Sequence, residues 1–227
     1  MPSQTVALIP AAGFGTRFHE GGPKALVKLA GKPFVVHALE RLAASQRIAR
    51  AVIAITAGDE AGFEEALRGV SLPYELVAGG VTRRDSVAAA FAAADLADDD
   101  LACIHDAARP LVDPAEVAAV VDTAAETGAA VAGFSAIETI KRVLHGKIVG
   151  TVPRNDLVAA TTPQVFRAAL LRVALDRDAA REVTDESELV ERSGVAVSVV
   201  LTSRWNLKIT YPEDLVWAEA FLRKPQA

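Results

Sequence analysis

The chain has 227 residues, 51% hydrophobic but only 5% aromatic, and a formal net charge of −5. That length suits one large α/β domain with a tightly packed, alanine-rich core, and the acidic balance excludes broad electrostatic binding to nucleic acid, which needs a basic footprint. No apolar stretch reaches the roughly 20 residues that span a bilayer. No basic segment precedes the first apolar run, and the single cysteine, Cys103, excludes an intrachain disulfide, so a cytoplasmic protein is expected.

The first strand is expected at Val6–Ile9, and it runs directly into PAAGFGTRF, Pro10 to Phe18. Two familiar phosphate loops are near misses. The dinucleotide fingerprint requires a third glycine where Phe18 stands, and Glu40 is a poor ribose-binding acid inside a helical pattern. The G-x-x-x-x-G-K-[ST] loop fails because Gly31-Lys32 is followed by Pro33. What remains is a strand followed by small residues, Ala11-Ala12-Gly13, which let backbone N–H groups approach a polyphosphate. Arg17, Lys24, Lys28 and Lys32 then stand against the one acid Glu20. In an acidic chain that local excess of positive charge suits an anionic ligand, although a solvated basic face is the competing reading.

Next, Val35, Val36, Leu39 and Leu42 have helical spacing, followed by strand-like runs at Ala51–Thr56, Tyr74–Val77 and Leu101–Ile104. The acids Asp98-Asp99-Asp100 precede the last of these and read as a solvated loop. His105-Asp106-Ala107-Ala108-Arg109-Pro110 follows it. A carboxylate at a strand mouth is well placed for Mg²⁺, which takes one or two carboxylates plus substrate phosphates; the alternatives are a helix N-cap for Asp106 and a structural ion pair for Arg109. Cys103 and His105 share a side of the strand, but no partner for thiol chemistry is visible, and Cys103 reads as core.

Asp113-Pro114 marks a helix start, with helical spacing over Glu116–Thr127, a strand at Ala130–Phe134, a helix over Val165–Arg177, a strand at Val197–Leu201 and a helix over Asp214–Leu222 after Pro212. This alternation predicts a largely parallel sheet covered on both faces, with ligands beyond the carboxyl ends of its strands. Ile140–Leu144, His145-Gly146 and Lys147–Val152 interrupt it as a two-stranded ribbon around a tight turn. A lone hairpin is marginal in water, so it must pack on its own domain or on another subunit. The expected organisation is one domain over 1–227 with an arm at about 136–155.

Ala11-Ala12-Gly13-Phe14-Gly15-Thr16-Arg17 with Pro23-Lys24 resembles the signature of nucleotidyltransferases that join a nucleoside triphosphate to a phosphorylated sugar or alcohol. Gly79-Gly80, Arg83-Arg84-Asp85-Ser86-Val87, the 105–110 segment, Thr139-Ile140-Lys141-Arg142, Thr162-Pro163-Gln164, Thr184-Asp185-Glu186 and Asn206-Leu207-Lys208-Ile209-Thr210 narrow this. In order and over most of the chain, the set resembles the 2-C-methyl-D-erythritol 4-phosphate cytidylyltransferase family. It departs at Ala25, where many relatives carry glutamine, and it leaves no room for the cyclase domain fused to some of them.

The resemblance implies a three-layer Rossmann-like nucleotidyltransferase fold with a mostly parallel sheet and a β-hairpin dimerisation arm. It also implies CMP transfer from CTP to methylerythritol phosphate in the non-mevalonate isoprenoid pathway, with Mg²⁺ on Asp106. Arg17 and Lys24 would stabilise the transfer and Lys208 would contact the phosphates. Pro10, Ala11, Ala12, Gly13, Phe14, Gly15, Thr16, Gly80, Arg83, Ser86, Asp106 and Ala107 would bind CTP. Arg109, Thr139, Arg154, Thr162 and Thr184 would bind the second substrate, Thr139 and Arg154 reaching across a two-fold axis into the partner's site of a homodimer. The residues alone leave Arg142 and Arg154 equally compatible with solvated charges. A pentitol-phosphate cytidylyltransferase and a nucleotide-binding regulator without turnover are the alternative functions.

Overall fold

The computed structural model describes residues 4–13, 22–177 and 183–223. In chain order the elements are β1 (Thr5–Pro10), a short 3-10 turn (Lys24–Leu26), β2 (Lys28–Leu29), β3 (Lys32–Pro33), α1 (Phe34–Ala44), β4 (Arg50–Ile55), α2 (Glu60–Ala66), β5 (Tyr74–Ala78), α3 (Arg83–Ala93) and β6 (Leu101–Ile104). There follow α4 (Pro114–Thr127), β7 (Ala129–Ser135), β8 (Ile140–Leu144), β9 (Lys147–Val152), β10 (Val158–Arg167), α5 (Ala168–Arg177), α6 (Glu186–Arg192), β11 (Ser198–Leu201) and α7 (Pro212–Leu222).

Seven strands form the main sheet in the order β11-β7-β10-β6-β1-β4-β5. β1 pairs in parallel with β4 and β6, β4 with β5, and β7 with β11, whereas β10 runs antiparallel to both β6 and β7. The side-chain period of two sorts each strand between two apolar layers. Ala7, Ile9, Ile53, Cys103 and Val165 face one core with Leu39 and Leu42 of α1, Phe63 of α2 and Val120 of α4. Val6, Leu8, Val52, Ile104 and Phe166 face the other, with Val87 of α3, Leu171 of α5 and Leu189 of α6. The result is three layers, with burial on both sheet faces, as a mostly parallel sheet requires.

Helix ends follow local chemistry. Asp113 caps α4 by accepting from the Ala115 N–H at 2.8 Å, Pro114 occupies the first turn, and Gly128 ends the helix at φ 90°. Thr82 and Asp85 form a reciprocal capping box on α3, a helix that spacing alone does not reveal.

The helix expected over Val165–Arg177 begins only at Ala168, because Val165 and Phe166 are claimed by β10. Val165 pairs with Cys103 and Ala130, and Phe166 with Ala102 and Ala129, so burial between two strands overrides the helical spacing. Pro163 within this strand hides it in the sequence; it sits where the β10–β7 register shifts between Ala160 and Gln164. Asp100 also departs from the solvated loop expected of 98–100. It is 2% exposed and accepts from the Gln4 and Ala97 backbone N–H groups, pinning the start of β1 to the turn before β6.

Among the described residues β8 and β9 pair only with each other, forming a two-stranded ribbon apart from the main sheet. Val143, Leu144, Ile148 and Val149 on it are each more than half exposed. Among the described residues no helix is long and apolar enough to cross a membrane.

Candidate active site

From β1 the chain moves outward through β4 to β5, then returns to β6 on the other side of β1. The crevice beyond the carboxyl ends of β1 and β6 is therefore a topological switch point, where open α/β sheets bind ligands. A cleft lies there, lined by Pro10, Ala11, Ala12, Gly13, Lys24, Ala25, Gly80, Val81, Thr82, Arg83, Ser86, Asp106, Ala107, Ala108 and Lys208.

Backbone bonds continue the sheet into its walls. The Ala11 N–H donates to Ala54 O at 2.7 Å, the Gly79 N–H to Ile55 O at 2.7 Å and the His105 N–H to Leu8 O at 3.0 Å. The Lys24 N–H donates to Gly13 O at 3.2 Å, which brings the lysine back beside the loop after β1. Gly79 and Gly80 are required by close approach. A Cβ on Gly79 would lie 2.7 Å from Ala12 Cβ and 2.9 Å from Ser86 Oγ, and one on Gly80 only 2.2 Å from Asp85 Cβ. Ser86 Oγ accepts from the Gly80 N–H at 3.2 Å and donates to Thr82 O at 3.1 Å, tying this glycine turn to the start of α3.

Asp106 is the one carboxylate lining the cleft among the described residues. Arg83 Nε donates to its Oδ1 at 2.9 Å, Lys208 Nζ lies 2.8 Å from its Oδ2, and Arg109 Nε is 3.9 Å from Oδ2. Burial would raise this carboxyl, but the Arg83 and Lys208 cations outweigh burial and hold it far below the usual carboxylate range. Arg83 continues to Glu186, whose two carboxylate oxygens lie 2.8 and 2.7 Å from Nη1. Burial alone would lower the Arg83 guanidinium; the two carboxylates reverse that and keep it protonated.

The Asp106 backbone is held separately. Thr162 Oγ1 accepts from the Asp106 N–H at 3.1 Å and lies 3.1 Å from His105 Nδ1. His105 Nε2 is 3.2 Å from Arg109 O, an acceptor only, so Nε2 carries the proton and Nδ1 accepts from the Thr162 hydroxyl. Burial pushes the imidazole down to about 4, consistent with this neutral tautomer. Both hydrogen-bonding directions of the Thr162 hydroxyl are thus used inside the protein. With Thr162 3% exposed, the threonine expected in the second-substrate pocket supports Asp106 from behind.

Of the other expected residues, Pro10 to Gly13, Gly80, Arg83, Ser86, Asp106, Ala107, Lys24 and Lys208 come together in the cleft. Phe14, Gly15, Thr16 and Arg17 lie outside the described residues. Arg109 does not line the cleft; it is largely buried and donates through Nη1 to Asn206 O at 2.7 Å, bracing the segment that carries Lys208. Thr184 is exposed before α6 and bonds Glu188, while Thr139 and Arg154 are exposed at the base of the β8–β9 arm, where Arg154 donates to Ile137 O. Asp106 caps no helix. Cys103 sits in the core with burial pushing its thiol up to about 12, which removes it from nucleophilic chemistry. Glu186 shows in the sequence as the last residue of the Thr184-Asp185-Glu186 motif, with no role attached to it. Its ion pair with Arg83 spans 103 residues, and no local pattern signals it.

The family model for 2-C-methyl-D-erythritol 4-phosphate cytidylyltransferase matches residues 5–224. The chain belongs to this family. Curated members from Rhodopirellula baltica and Chromobacterium violaceum, both named 2-C-methyl-D-erythritol 4-phosphate cytidylyltransferase, are 41% and 42% identical to it. The first match covers 96% of this chain and 94% of the relative, the second 96% and 97%. The crystal structure of the 2-C-methyl-D-erythritol 4-phosphate cytidylyltransferase from Thermus thermophilus superposes with a TM-score of 0.78 at 34% identity, covering 99% of this chain and 100% of that one. The three-layer α/β nucleotidyltransferase fold is therefore this family's fold.

Proposed function

We infer that this chain transfers CMP from CTP to 2-C-methyl-D-erythritol 4-phosphate, releasing pyrophosphate, as a cytidylyltransferase of isoprenoid biosynthesis. The observation that carries the mechanism is the switch-point cleft, where Arg83 and Lys208 hold the ionised Asp106, the one carboxylate lining it among the described residues, and Lys24 shares the lining. A phosphate oxygen of methylerythritol phosphate attacks the α-phosphorus of CTP. A new P–O bond forms, the bond to the bridging α–β oxygen breaks, and pyrophosphate leaves with that electron pair. The nucleophile is already an anion, so no general base is required. The barrier is repulsion between two polyanions and charge developing on the α-phosphoryl oxygens, which positioned cations relieve.

Lys24 fits that task from the lining of the cleft, with Arg17 in the same role by family likeness. Ala12, Gly13, Gly80 and Ser86 suit the nucleotide, where the narrow glycine turn favours a pyrimidine by shape. Lys208 suits the meeting point of the two phosphates. The donor set also fits Mg²⁺, which binds through one carboxylate plus substrate phosphates. Asp106 stays ionised, and each of its oxygens has lone-pair capacity beyond its contact with Arg83 or Lys208. Held there, the ion would neutralise charge on the CTP phosphates.

The exposed apolar β8–β9 arm supports a homodimer in which Thr139 and Arg154 of one copy complete the sugar-phosphate pocket of the other. Thr184 is assigned to that pocket too. The chain acts as one nucleotidyltransferase domain, and its single, unpaired cysteine suits the reducing cytoplasm. The test is pyrophosphate release with CTP, Mg²⁺ and a panel of sugar and alditol phosphates. Turnover of methylerythritol phosphate is expected; none with that substrate, beside clear turnover of ribitol phosphate, would overturn the reading.

A further inference from the structure

We propose that Glu186 is a positioning residue for the nucleotide site, acting through Arg83 to keep the Asp106 carboxylate available to ligand. The inference rests on the assignment of Arg83 and Asp106 to the CTP cleft. Glu186 does not line that cleft; its side chain is 0% exposed, yet it keeps both oxygens on Arg83 Nη1. A guanidinium is a rigid planar fork that prefers to chelate one carboxylate through two N–H groups. Here it is divided: the Nη1 corner goes to Glu186, and Nε alone reaches Asp106 Oδ1 at 2.9 Å. Released from Glu186, the fork would turn onto Asp106 with two donors and occupy the lone pairs that a ribose hydroxyl or a cation would use.

Glu186 is itself firmly placed. Asp185 caps α6 by accepting from the Glu188 N–H at 3.1 Å, Gln164 Nε2 donates to Asp185 Oδ2 at 2.9 Å, and the Ser187 N–H donates to Gln164 Oε1 at 3.3 Å. The residues on either side of Glu186 are thus bonded to β10, next to β6, the strand that leads into Asp106. Charge points the same way. Arg83, Arg109 and Lys208 all lie against Asp106, and Glu186 offsets one of them, Arg83; without the Glu186 charge, three cations converge on one carboxylate.

These two effects act differently on two ligands, which separates positioning from general damage. Glu186→Gln is expected to raise KM for CTP about tenfold, the order expected for one lost charge-assisted hydrogen bond, with kcat within about threefold. Inhibition by inorganic pyrophosphate, which gains from the extra positive charge, should be equal or tighter. Mere loosening of the fold would weaken both. In an Arg83→Gln background the added Glu186→Gln should leave KM for CTP unchanged. If Glu186→Gln does not fold, Glu186→Asp keeps the buried charge but shortens its reach, and a several-fold rise in KM for CTP is expected. Wild-type KM for CTP in the folded variant, or equal weakening of CTP and pyrophosphate, would sink the proposal. Asp106→Asn serves as the control: a normal KM for CTP there overturns the site assignment itself, whereas a defect there with normal Glu186→Gln kinetics overturns only the role of Glu186.

Discussion

Lys24 stands where the chain returns to the cleft, its backbone N–H on Gly13 O and its side chain at the cleft lining. The transfer reaction needs positive charge beside the α-phosphate and no proton acceptor. Lys24→Ala should therefore lower turnover by roughly 10²–10³, the usual cost of one positioned transition-state donor, while circular dichroism and the melting temperature stay near wild type. A variant with near-native turnover would refute the electrostatic mechanism. Asp106 shows the complementary logic. Its chemistry depends on a side chain held by Arg83 and Lys208 and a backbone held by Thr162, none of them a sequence neighbour. The residue types around it are legible in the 105–110 segment, but the division of labour is not. Nothing local distinguishes a threonine that touches substrate from one whose hydroxyl is spent on His105 and Asp106.

At the scale of elements, periodicity and caps locate β1, β4, β5, β6, β7, β11, α1, α4, α7 and the β8–β9 ribbon. Periodicity fails where long-range pairing decides conformation. Val165 and Phe166 share helical spacing with the residues of α5, yet two neighbouring strands bury them as β10. α3 escapes a reading by spacing because its alanine-rich sequence carries little amphipathic contrast, its capping box being the usable signal. The arm carries a prediction at this scale. Its Val143, Leu144, Ile148 and Val149 remain exposed on a ribbon of two strands, a structure that is marginal alone. Replacing residues 140–152 by a short Gly-Ser turn should yield a monomer in sedimentation experiments and raise KM for methylerythritol phosphate more than KM for CTP. A shortened protein that is monomeric and fully active would refute the shared pocket.

For the whole molecule, pH dependence follows from His105. The imidazole is fully buried, and desolvation lowers it to about 4 in the folded protein against 6.5 when unfolded; the Asp106 charge and the Arg109 carbonyl oppose this shift, while Arg109 and Arg83 reinforce it. A group with a depressed folded value binds its proton more readily when unfolded. Its contribution to stability is therefore intact above about pH 6.5, declines as pH falls, and is fully lost below about pH 4. The full loss is roughly 3 kcal/mol. Denaturant titrations from pH 7.5 to pH 4.5 should show the decline, and His105→Asn should flatten it; an unchanged slope in that variant would place the acid sensitivity elsewhere.

The sequence by itself determined the fold class, the loop chemistry after β1 and the family, because strand–helix periodicity, small residues at a strand end and ordered motifs are local properties of the chain. Only the tertiary structure decided which charges meet. Arg83 and Glu186 are 103 residues apart and Asp106 and Thr162 56 apart; the return from β5 to β6 and the antiparallel insertion of β10 bring them within hydrogen-bonding reach. Burial then sets which of these groups face solvent and which must be satisfied inside, and that cannot be read until the sheet is closed on both faces.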